Sequence, residues 1–254
     1  MPSIDFDDDL TACAALVERG DPARFRTVMA APVRARAVLF PIYAFNVEVS
    51  RAPWVTGEAM IAEMRLQWWR DALAEIAQGG KVRRHEVATP LSNVLTPADA
   101  TALDDLVSAR IWDCHRDAFD DEAALHRYLD QTSGVLMAVA SRCLGGPERA
   151  ARLAGFAQGV GNWLGALPAL EAQGRVPMVD GTHDGIRRLA QAGLDAIEKA
   201  RGRVAGPALP AFWPATGVAR SLRAAVVNPA NVAEGALAQP HRLALPMAVL
   251  TRRW

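Results

Sequence analysis

The sequence predicts an all-α protein, and two observations carry this prediction. Apolar residues recur along most of the chain with the three- and four-residue spacing of one helix face. No convincing run alternates apolar with polar β-branched residues before a hairpin turn, which is the pattern that predicts strands. The 254 residues, of which 51% are hydrophobic and 22% charged, supply ample apolar material for one large core. We therefore expect a single helical domain over residues 1–254.

The first three helices are predicted from the residues at their ends. The acidic segment 5–9 favours the start of a helix that runs through Glu18, because carboxylates stabilise the positive end of a helix dipole. Pro22 follows Gly-Asp and opens a second, short helix. A third helix is expected over 33–51, and Pro41 inside it predicts a kink or a break.

The clearest helical pattern covers residues 58–77 and ends at Gly79-Gly80. Its predicted core stripe consists of Ile61, Met64, Trp68, Ala72, Leu73 and Ile76. Seven further helices are expected at about 97–118, 121–131, 132–144, 148–167, 184–203, 216–227 and 239–252. The glycines and prolines of residues 202–214 predict an irregular stretch before the last two helices.

Composition excludes several classes of function. Lys plus Arg (28) balances Asp plus Glu (28), so no global field draws the protein onto nucleic acid. The three cysteines, Cys13, Cys114 and Cys143, have no metal-binding or disulfide spacing and fit a reducing cytoplasm. The N-terminus lacks the basic and apolar regions of a signal peptide, and the longest apolar runs fall short of the roughly 18 residues of a spanning helix. These features predict a cytoplasmic protein whose membrane contact is at most peripheral, on the inner face of the cytoplasmic membrane.

Local motifs for metal, hydrolytic or dinucleotide chemistry are also missing. The histidines form no i, i+4 pair, the serines lack a nucleophile elbow, and Gly159-Val160-Gly161 follows no predicted strand. The spacing of Asp113 and Asp117 imitates a metal-binding pair, but mixed charge at a helix end is usually solvated surface, and we expect that here. Cys114 and His115 are adjacent and diverge by about 100° on a helix, so they do not predict a metal site.

Four segments carry a family resemblance in their order along the chain: 43–48 (Tyr-Ala-Phe-Asn-Val-Glu), 64–70 (Met-Arg-Leu-Gln-Trp-Trp-Arg), 161–164 (Gly-Asn-Trp-Leu) and 174–177 (Gly-Arg-Val-Pro). Together with Phe25 and the stretch from Tyr128 to Met137, they make the chain similar to the squalene/phytoene synthase family, most clearly over residues 10–180. The resemblance implies a helical bundle of the class I isoprenoid (terpenoid) synthase type.

In working members of that family, two facing helices each carry an Asp-x-x-x-Asp pair. Carboxylates four residues apart lie on one helix face, and in those members they hold Mg²⁺ ions that neutralise a departing diphosphate. Transferred to this chain, the first pair falls on Ser50 and Trp54 and the second on Ala166 and Leu170. All four carboxylates are replaced, so the resemblance implies no catalytic residue, no metal site and no cofactor here.

The same departure resembles a non-synthase branch of the family that includes a mitochondrial respiratory complex I assembly factor. Ala44 to Glu48 and Met64 to Trp69 carry that likeness. It implies a non-catalytic protein that binds an isoprenoid or other lipid, or a partner among the subunits and assembly proteins of respiratory complex I. The alternative is a divergent squalene/phytoene-type synthase, a prenyl transferase that uses Mg²⁺ through carboxylates relocated to Glu48, Glu58 or Glu171. A helical scaffold with no small-molecule site is the third possibility.

The resemblance also names the residues expected to line a substrate or ligand pocket. They are Tyr43, Asn46, Glu48, Ser50, Arg51, Trp54, Arg65, Trp68, Asn162, Ala166 and Leu170. Their polar members are expected to crowd the centre of the bundle, either contacting a ligand or satisfying one another, for example Glu48 with Arg65. Trp68 and its neighbour Trp69 point in different directions, so one is expected in the core and the other at a cavity.

Basic residues suggest an edge suited to an anionic membrane surface. The candidates are Arg34, Arg36, Arg65, Arg70, Arg83 and Arg84, together with the C-terminal Arg252-Arg253-Trp254.

Overall fold

A computed structural model describes residues 7–202, 204, 206–239 and 241–254. Within this part of the chain the regular structure is helical, and no strand occurs. The α-helices are α1 (Asp8–Gly20), α2 (Pro22–Met29), α3 (Val33–Arg51), α4 (Ala59–Ala77), α5 (Ala88–Ser92), α6 (Pro97–Arg110), α7 (Glu122–Leu129), α8 (Val135–Cys143), α9 (Glu148–Ala172), α10 (His183–Ala200), α11 (Val218–Val227), α12 (Ala230–Ala233) and α13 (Ala244–Thr251). The all-α prediction is confirmed.

Side-chain caps explain several of the helix starts. The carboxylate of Asp7 accepts a hydrogen bond from the backbone of Leu10 at the start of α1. Thr96 and Asp99 cap each other reciprocally at the start of α6. Such caps satisfy backbone N–H groups that have no partner within the helix, and each contributes about 1 kcal/mol. The acidic segment thus starts α1 as predicted, although residues 5 and 6 lie outside the described part.

Helix α3 runs through the middle of the molecule and is buried along most of its length. Its neighbours include α1, α2, α5 and α8. Pro41 removes one backbone hydrogen bond, yet the helix continues from Val33 to Arg51 without the break that the sequence allowed. Phe40, Ile42 and Phe45 are each at most 1% exposed, so tertiary packing on both sides of Pro41 holds the helix together.

The 25-residue helix α9 crosses the bundle against α8, α10 and α11. A π-helical turn, Asp130–Gly134, joins α7 to α8 and packs on α9. Contact there is close because α9 presents glycines: a Cβ built on Gly155 would lie 2.5 Å from the Ser133 carbonyl oxygen. Small residues at this contact let the two backbones approach directly.

The predicted end of one helix is corrected, and two short helices were missed. Helix α6 ends at Arg110 and continues only as a 3₁₀ turn, Ile111–Cys114, whereas the sequence predicted a helix to residue 118. The short helices α5 and α12 were not predicted at all.

The buried stripe of α4 also differs from the predicted one at its N-terminal end. Ala62, Leu66 and Trp69 are buried, while Ile61 and Met64 are 39% and 66% exposed. The helix is apolar on more than one side at this end, so periodicity alone selected the wrong side.

Candidate functional site

A cavity of about 260 Å³ lies between α3, α9 and the segment that joins α6 to α8. Its walls include all four positions at which the family places carboxylates: Ser50 and Trp54 on one side, Ala166 and Leu170 on the other. Asn46 and Asn162, two more of the predicted pocket residues, also line it. We call this the central cavity.

The central cavity contains a buried charged cluster that the sequence did not predict. Nη1 of the Arg110 guanidinium donates to Asp113 Oδ2 at 3.0 Å and to the Tyr128 hydroxyl at 2.8 Å. The same hydroxyl lies 2.8 Å from Asp113 Oδ1 and 2.9 Å from Oδ2, to which it donates. Asp113 is only 3% exposed, so the expectation of a solvated surface residue is wrong for it. It is right for Asp117, which is exposed.

The protonation states within this cluster follow from its burial and its charges. Burial raises the pKa of Tyr128 well above its ordinary value, and the neighbouring Asp113 raises it further, so the hydroxyl stays protonated. Burial lowers the pKa of Arg110, but Tyr128 and Asp113 raise it by more, and the net pKa lies above its ordinary value. The neutral Tyr128 hydroxyl therefore bridges the salt bridge between Arg110 and Asp113.

A second cation faces the same cavity from α2. Arg24 is 9% exposed, and its guanidinium donates to Asp21 Oδ2 at 2.6 Å and to the side-chain oxygen of Gln158 at 3.5 Å. It also lies over the ring of Tyr43, 5.4 Å from the ring centroid. Tyr43 itself is fully enclosed, and its hydroxyl has no hydrogen-bond partner among the described residues; burial raises its pKa to about 12. Tyr43 supports the wall of the cavity but does not line it.

Trp54 and Trp163 line the central cavity, and each contacts the segment after α9. The guanidinium of Arg175 lies 4.5 Å from the ring centroid of Trp54 and donates to the backbone oxygens of Asp113 and His115. The indole N–H of Trp163 donates to the Pro177 carbonyl at 3.0 Å. Segment 174–177 thus connects Trp163 of α9 to the backbone of Asp113 and His115 after α6.

The π-helical turn brings Thr132 and Ser133 to the cavity wall. An inserted residue of this kind shifts the side chains that follow it around the helix axis, and such turns are frequent at functional sites. The Thr132 hydroxyl donates to the Tyr128 carbonyl within the turn.

The donor set of the central cavity does not suit Mg²⁺. The ion prefers free carboxylate oxygens in near-octahedral geometry. Two acids line the cavity, and both are already engaged: Asp21 with the backbone and guanidinium of Arg24, and Asp113 with Arg110 and Tyr128. Among the described residues, no group of three or more His, Cys, Asp or Glu side chains is placed to hold a metal ion.

A second, larger cavity of about 660 Å³ opens between the C-terminal end of α3 and the start of α4. We call it the α3–α4 groove. Glu48, Arg51, Arg65 and Trp68 line it, so these four predicted residues lie apart from the central cavity. The expectation that the polar residues of the set crowd one centre is therefore corrected.

Helix geometry explains the separation, because Asn46 and Ser50 lie on one side of α3 whereas Glu48 and Arg51 lie on the other. Glu48 and Arg65 share the groove but form no ion pair in the described structure.

Aromatic side chains build the floor of the α3–α4 groove. Trp69 is 4% exposed and packs edge-on against Phe45, whereas Trp68 is partly exposed. The two indoles contact each other and both contact His85. Arg83 lies over the Trp68 ring and pairs with Glu75, which fixes the outer edge. Trp69 is thus buried and Trp68 partly exposed, but both indoles line the groove, so the predicted division between core and cavity holds only in part.

Sequence reasoning missed Arg24, Arg110 and Asp113 as cavity residues. Tyr128 was part of a quoted family segment, but its partners lie 15 and 18 residues away. No local spacing announces such a cluster. The available sequence signal was an aspartate three residues after an arginine, and solvation is the commoner outcome for that pattern.

The relocated carboxylates of the synthase alternative do not converge. Glu48 lies in the α3–α4 groove, while Glu58 and Glu171 are exposed and line neither cavity.

A solved structure has the same architecture as this chain. A crystal structure of a dehydrosqualene synthase in complex with ligand superposes with a TM-score of 0.76 over 96% of each chain, at 14% sequence identity. At that identity the likeness shows the fold, and it confirms the predicted class I isoprenoid synthase bundle.

Sequence comparison adds a relative and the family. A Drosophila melanogaster protein named NADH dehydrogenase (ubiquinone) complex I, assembly factor 6 homolog is 30% identical over 169 residues, which are 61% of this chain and 50% of the relative. The present chain therefore spans about half the length of that curated relative. The family model for squalene/phytoene synthase matches residues 17–248. This chain belongs to the squalene/phytoene synthase family.

Proposed function

We propose that this chain is a non-catalytic member of the family that acts in the assembly of respiratory complex I. One observation carries the proposal: Ser50, Trp54, Ala166 and Leu170 face one cavity at the positions of the family's carboxylates. None of the four carries a carboxylate, and the two acids among the described residues of the cavity wall are paired with arginines. Without a metal to neutralise the departing diphosphate, the ionisation step of the family has no support.

The assembly role is proposed from the relative named as a complex I assembly factor homolog. Fold alone does not decide function, because one scaffold hosts many activities. The residues that carry the likeness, Ala44 to Glu48 and Met64 to Trp69, include several that line the α3–α4 groove. We place the contact with complex I subunits or assembly proteins on that side of the molecule.

An isoprenoid or other lipid is the ligand that we propose for the same groove. Its volume of about 660 Å³ lies within the about 300–1,000 Å³ range of small-molecule sites, whereas the central cavity of about 260 Å³ lies below it. Ile61, Met64 and Trp68 offer an apolar wall, and Arg51 and Arg65 offer cations for a charged end. No helix in the described residues is both long and apolar enough to cross a membrane.

Two experiments test the proposal. Purified protein incubated with farnesyl or geranylgeranyl diphosphate and Mg²⁺ is expected to release no diphosphate above background, with a dehydrosqualene synthase as the active control. Magnesium-dependent release would overturn the non-catalytic assignment.

Co-purification of the tagged chain from membranes of its native organism is expected to enrich respiratory complex I subunits. A matched Trp68→Ala/Arg65→Ala variant should lose that enrichment while a variant altered at exposed Arg127 keeps it. Enrichment of carotenoid or hopanoid enzymes in place of complex I subunits would contradict the assembly role.

A further inference from the structure

The C-terminal helix α13 has no polar face. Its sequence, Ala-Leu-Pro-Met-Ala-Val-Leu-Thr, contains no charged residue. Leu245, Ala248 and Val249 pack toward the core. A surface helix normally turns a polar face to water, and one that is apolar all round is normally covered on every side. Helix α13 therefore has a second apolar face that its own fold leaves uncovered.

That second face is formed by three large side chains in helical register. Leu243, Met247 and Leu250 are spaced i, i+4 and i+7, and they are 58%, 52% and 79% exposed. Residues with this spacing lie along one side of a helix, so they form a continuous stripe. The stripe ends next to Thr251, which lines the cavity described next and whose hydroxyl donates to the Met247 carbonyl within the helix.

Beside the stripe, between α10, α11 and the end of α13, lies a cavity of about 710 Å³ lined by arginines. Arg201, Arg223, Arg252 and Arg253 all face it, and the lining includes no Asp or Glu side chain among the residues that the structure describes. None of the four forms an ion pair with an acid in the described residues. Glu198, one turn before Arg201 on α10, lies outside the lining. Trp254 closes one wall and packs on Phe212, with ring centroids 5.1 Å apart.

The chain as a whole carries a formal net charge of zero, so this concentration of positive charge is local. Four guanidinium groups around one concavity match the phosphates of lipid headgroups, which arginine binds through paired N–H donors. The apolar stripe, which leads along the chain into the lining residues from Thr251 to Arg253, matches the acyl region directly below those phosphates.

We propose that α13 and the adjoining arginine cavity form a docking site for an anionic phospholipid membrane. The arginines bind headgroup phosphates, while Leu243, Met247 and Leu250 enter the interface between headgroups and acyl chains. This site does not rest on the proposed assembly role, and it lies on different helices from the α3–α4 groove. The site includes Arg252, Arg253 and Trp254, which are the C-terminal part of the basic edge expected from the sequence. The other arginines of that edge lie outside it.

Vesicle flotation with the full chain tests the site. Phosphatidylcholine vesicles with and without about one third phosphatidylglycerol are compared at low salt, and then at about 0.5 M salt, where surface charges are strongly screened. We expect binding to the anionic vesicles only, and its loss at high salt. Equal recovery with neutral and anionic vesicles would overturn the proposal, as would the absence of binding to both.

Two pairs of variants locate the contact. Arg223→Gln/Arg253→Gln is expected to weaken binding to anionic vesicles roughly 10- to 30-fold, because each basic residue near an anionic surface contributes about a factor of five. The charge-matched control, Arg116→Gln/Arg127→Gln, alters two exposed arginines outside the cavity and should weaken it less than about two-fold. Leu250→Ser should reduce binding, whereas Val227→Ser, at an 81% exposed position on α11, should not.

Alternative occupants give different results. If glycerol phosphate at millimolar concentration raises the melting temperature through these arginines while vesicles do not bind, the site takes a free anion and the membrane proposal fails. If the chain dimerises in size-exclusion chromatography and Leu250→Ser abolishes the dimer without changing vesicle binding, the stripe is covered by a second copy and the proposal is likewise wrong.

Discussion

At the scale of single residues, the buried pair of Arg110 and Asp113 governs the central cavity. Removing two charges from water is costly, and an ion pair repays that cost only when its remaining hydrogen-bonding groups are satisfied. The Tyr128 hydroxyl supplies this by accepting from Arg110 and donating to Asp113. One buried atom, Nε of Arg110, still has no partner in the described structure. The cluster is therefore sensitive to the loss of any further hydrogen bond.

Replacing Asp113 by Ala is expected to destabilise the protein by about 3–5 kcal/mol, because Arg110 is left as an uncompensated buried charge. Tyr128→Phe removes only the bridging hydroxyl and should cost about 1–3 kcal/mol. Urea denaturation at pH 7 measures both.

The matched control for Asp113→Ala is Asp117→Ala, four residues further along and exposed, which should change the free energy of unfolding by less than about 0.5 kcal/mol. Equal effects of the two alanine substitutions would contradict the burial of Asp113.

Asp99 provides a pH-dependent contribution to stability. Burial raises its pKa, but hydrogen bonds from Thr96 and an ion pair with Arg142 lower it by more, so the folded-state pKa lies below the ordinary value of 3.8. A carboxyl group with a depressed pKa stabilises the folded state above its unfolded pKa, and this contribution is lost as pH falls through the folded pKa. Asp99→Asn should therefore cost about 1–3 kcal/mol at pH 7 and less at pH 3.

Free energies of unfolding of both proteins at pH 7, 5 and 3 check this prediction. Asp105→Asn, at an exposed position on the same helix, serves as the control and should change the free energy of unfolding at pH 7 by less than about 0.5 kcal/mol. A difference for Asp99→Asn that grows on acidification would show that the sign is wrong.

At the scale of secondary-structure elements, α9 combines two kinds of glycine. Gly155 lies under the π-helical turn, where an added Cβ would approach the Ser133 carbonyl oxygen to 2.5 Å and the Met137 Cβ to 2.8 Å. Gly165 is exposed, and an added Cβ would find its nearest neighbour, Leu237, at 4.0 Å. Both are helical, so their substitutions separate packing from helix propensity.

Gly155→Ala is expected to destabilise the protein by about 1–3 kcal/mol, because backbone and Cβ atoms must move apart at the contact. Gly165→Ala should stabilise it by up to about 1 kcal/mol, because alanine is the better helix former. Thermal and urea denaturation of the two variants measure the opposite signs. Stabilisation by both substitutions would show that the π-helical turn is not packed against α9 as described.

The elements also show what the sequence could and could not predict. Helix starts marked by Asp7 and by Pro22 were predictable, because caps and prolines act locally. The end of α6 was not, since a chain of plausible helix formers continues past Arg110 and tertiary contacts of Asp113 turn it aside. Ile61 and Met64 were assigned to the core because they are apolar, and only the packed structure shows that they face a groove.

At the scale of the whole molecule, some residues of the candidate site were predictable from the sequence and others were not. Ser50, Trp54, Ala166 and Leu170 were placed by counting from family segments, and they do face one cavity. The charges that share it come from distant parts of the chain: Arg24 meets Gln158 across 134 residues. Such pairs depend on the complete fold, so the pattern of a single sequence does not reveal them.

The paired charges of the central cavity lead to a prediction about metal and diphosphate. A ligand that binds only the folded state stabilises it by RT ln(1 + [L]/Kd), which is about 2.7 kcal/mol at a concentration of 100 Kd. For a chain of 254 residues this would raise the Tm by several degrees, because about 1 kcal/mol corresponds to about 2–4 °C.

Asp21 and Asp113 are held by arginines and do not offer free oxygens. We therefore expect Mg²⁺ with inorganic diphosphate at millimolar concentrations, compared with EDTA, to change the Tm by less than about 1 °C. A dehydrosqualene synthase measured in parallel should shift by several degrees, and a similar shift in this chain would mean that its cavity still binds the metal–diphosphate complex.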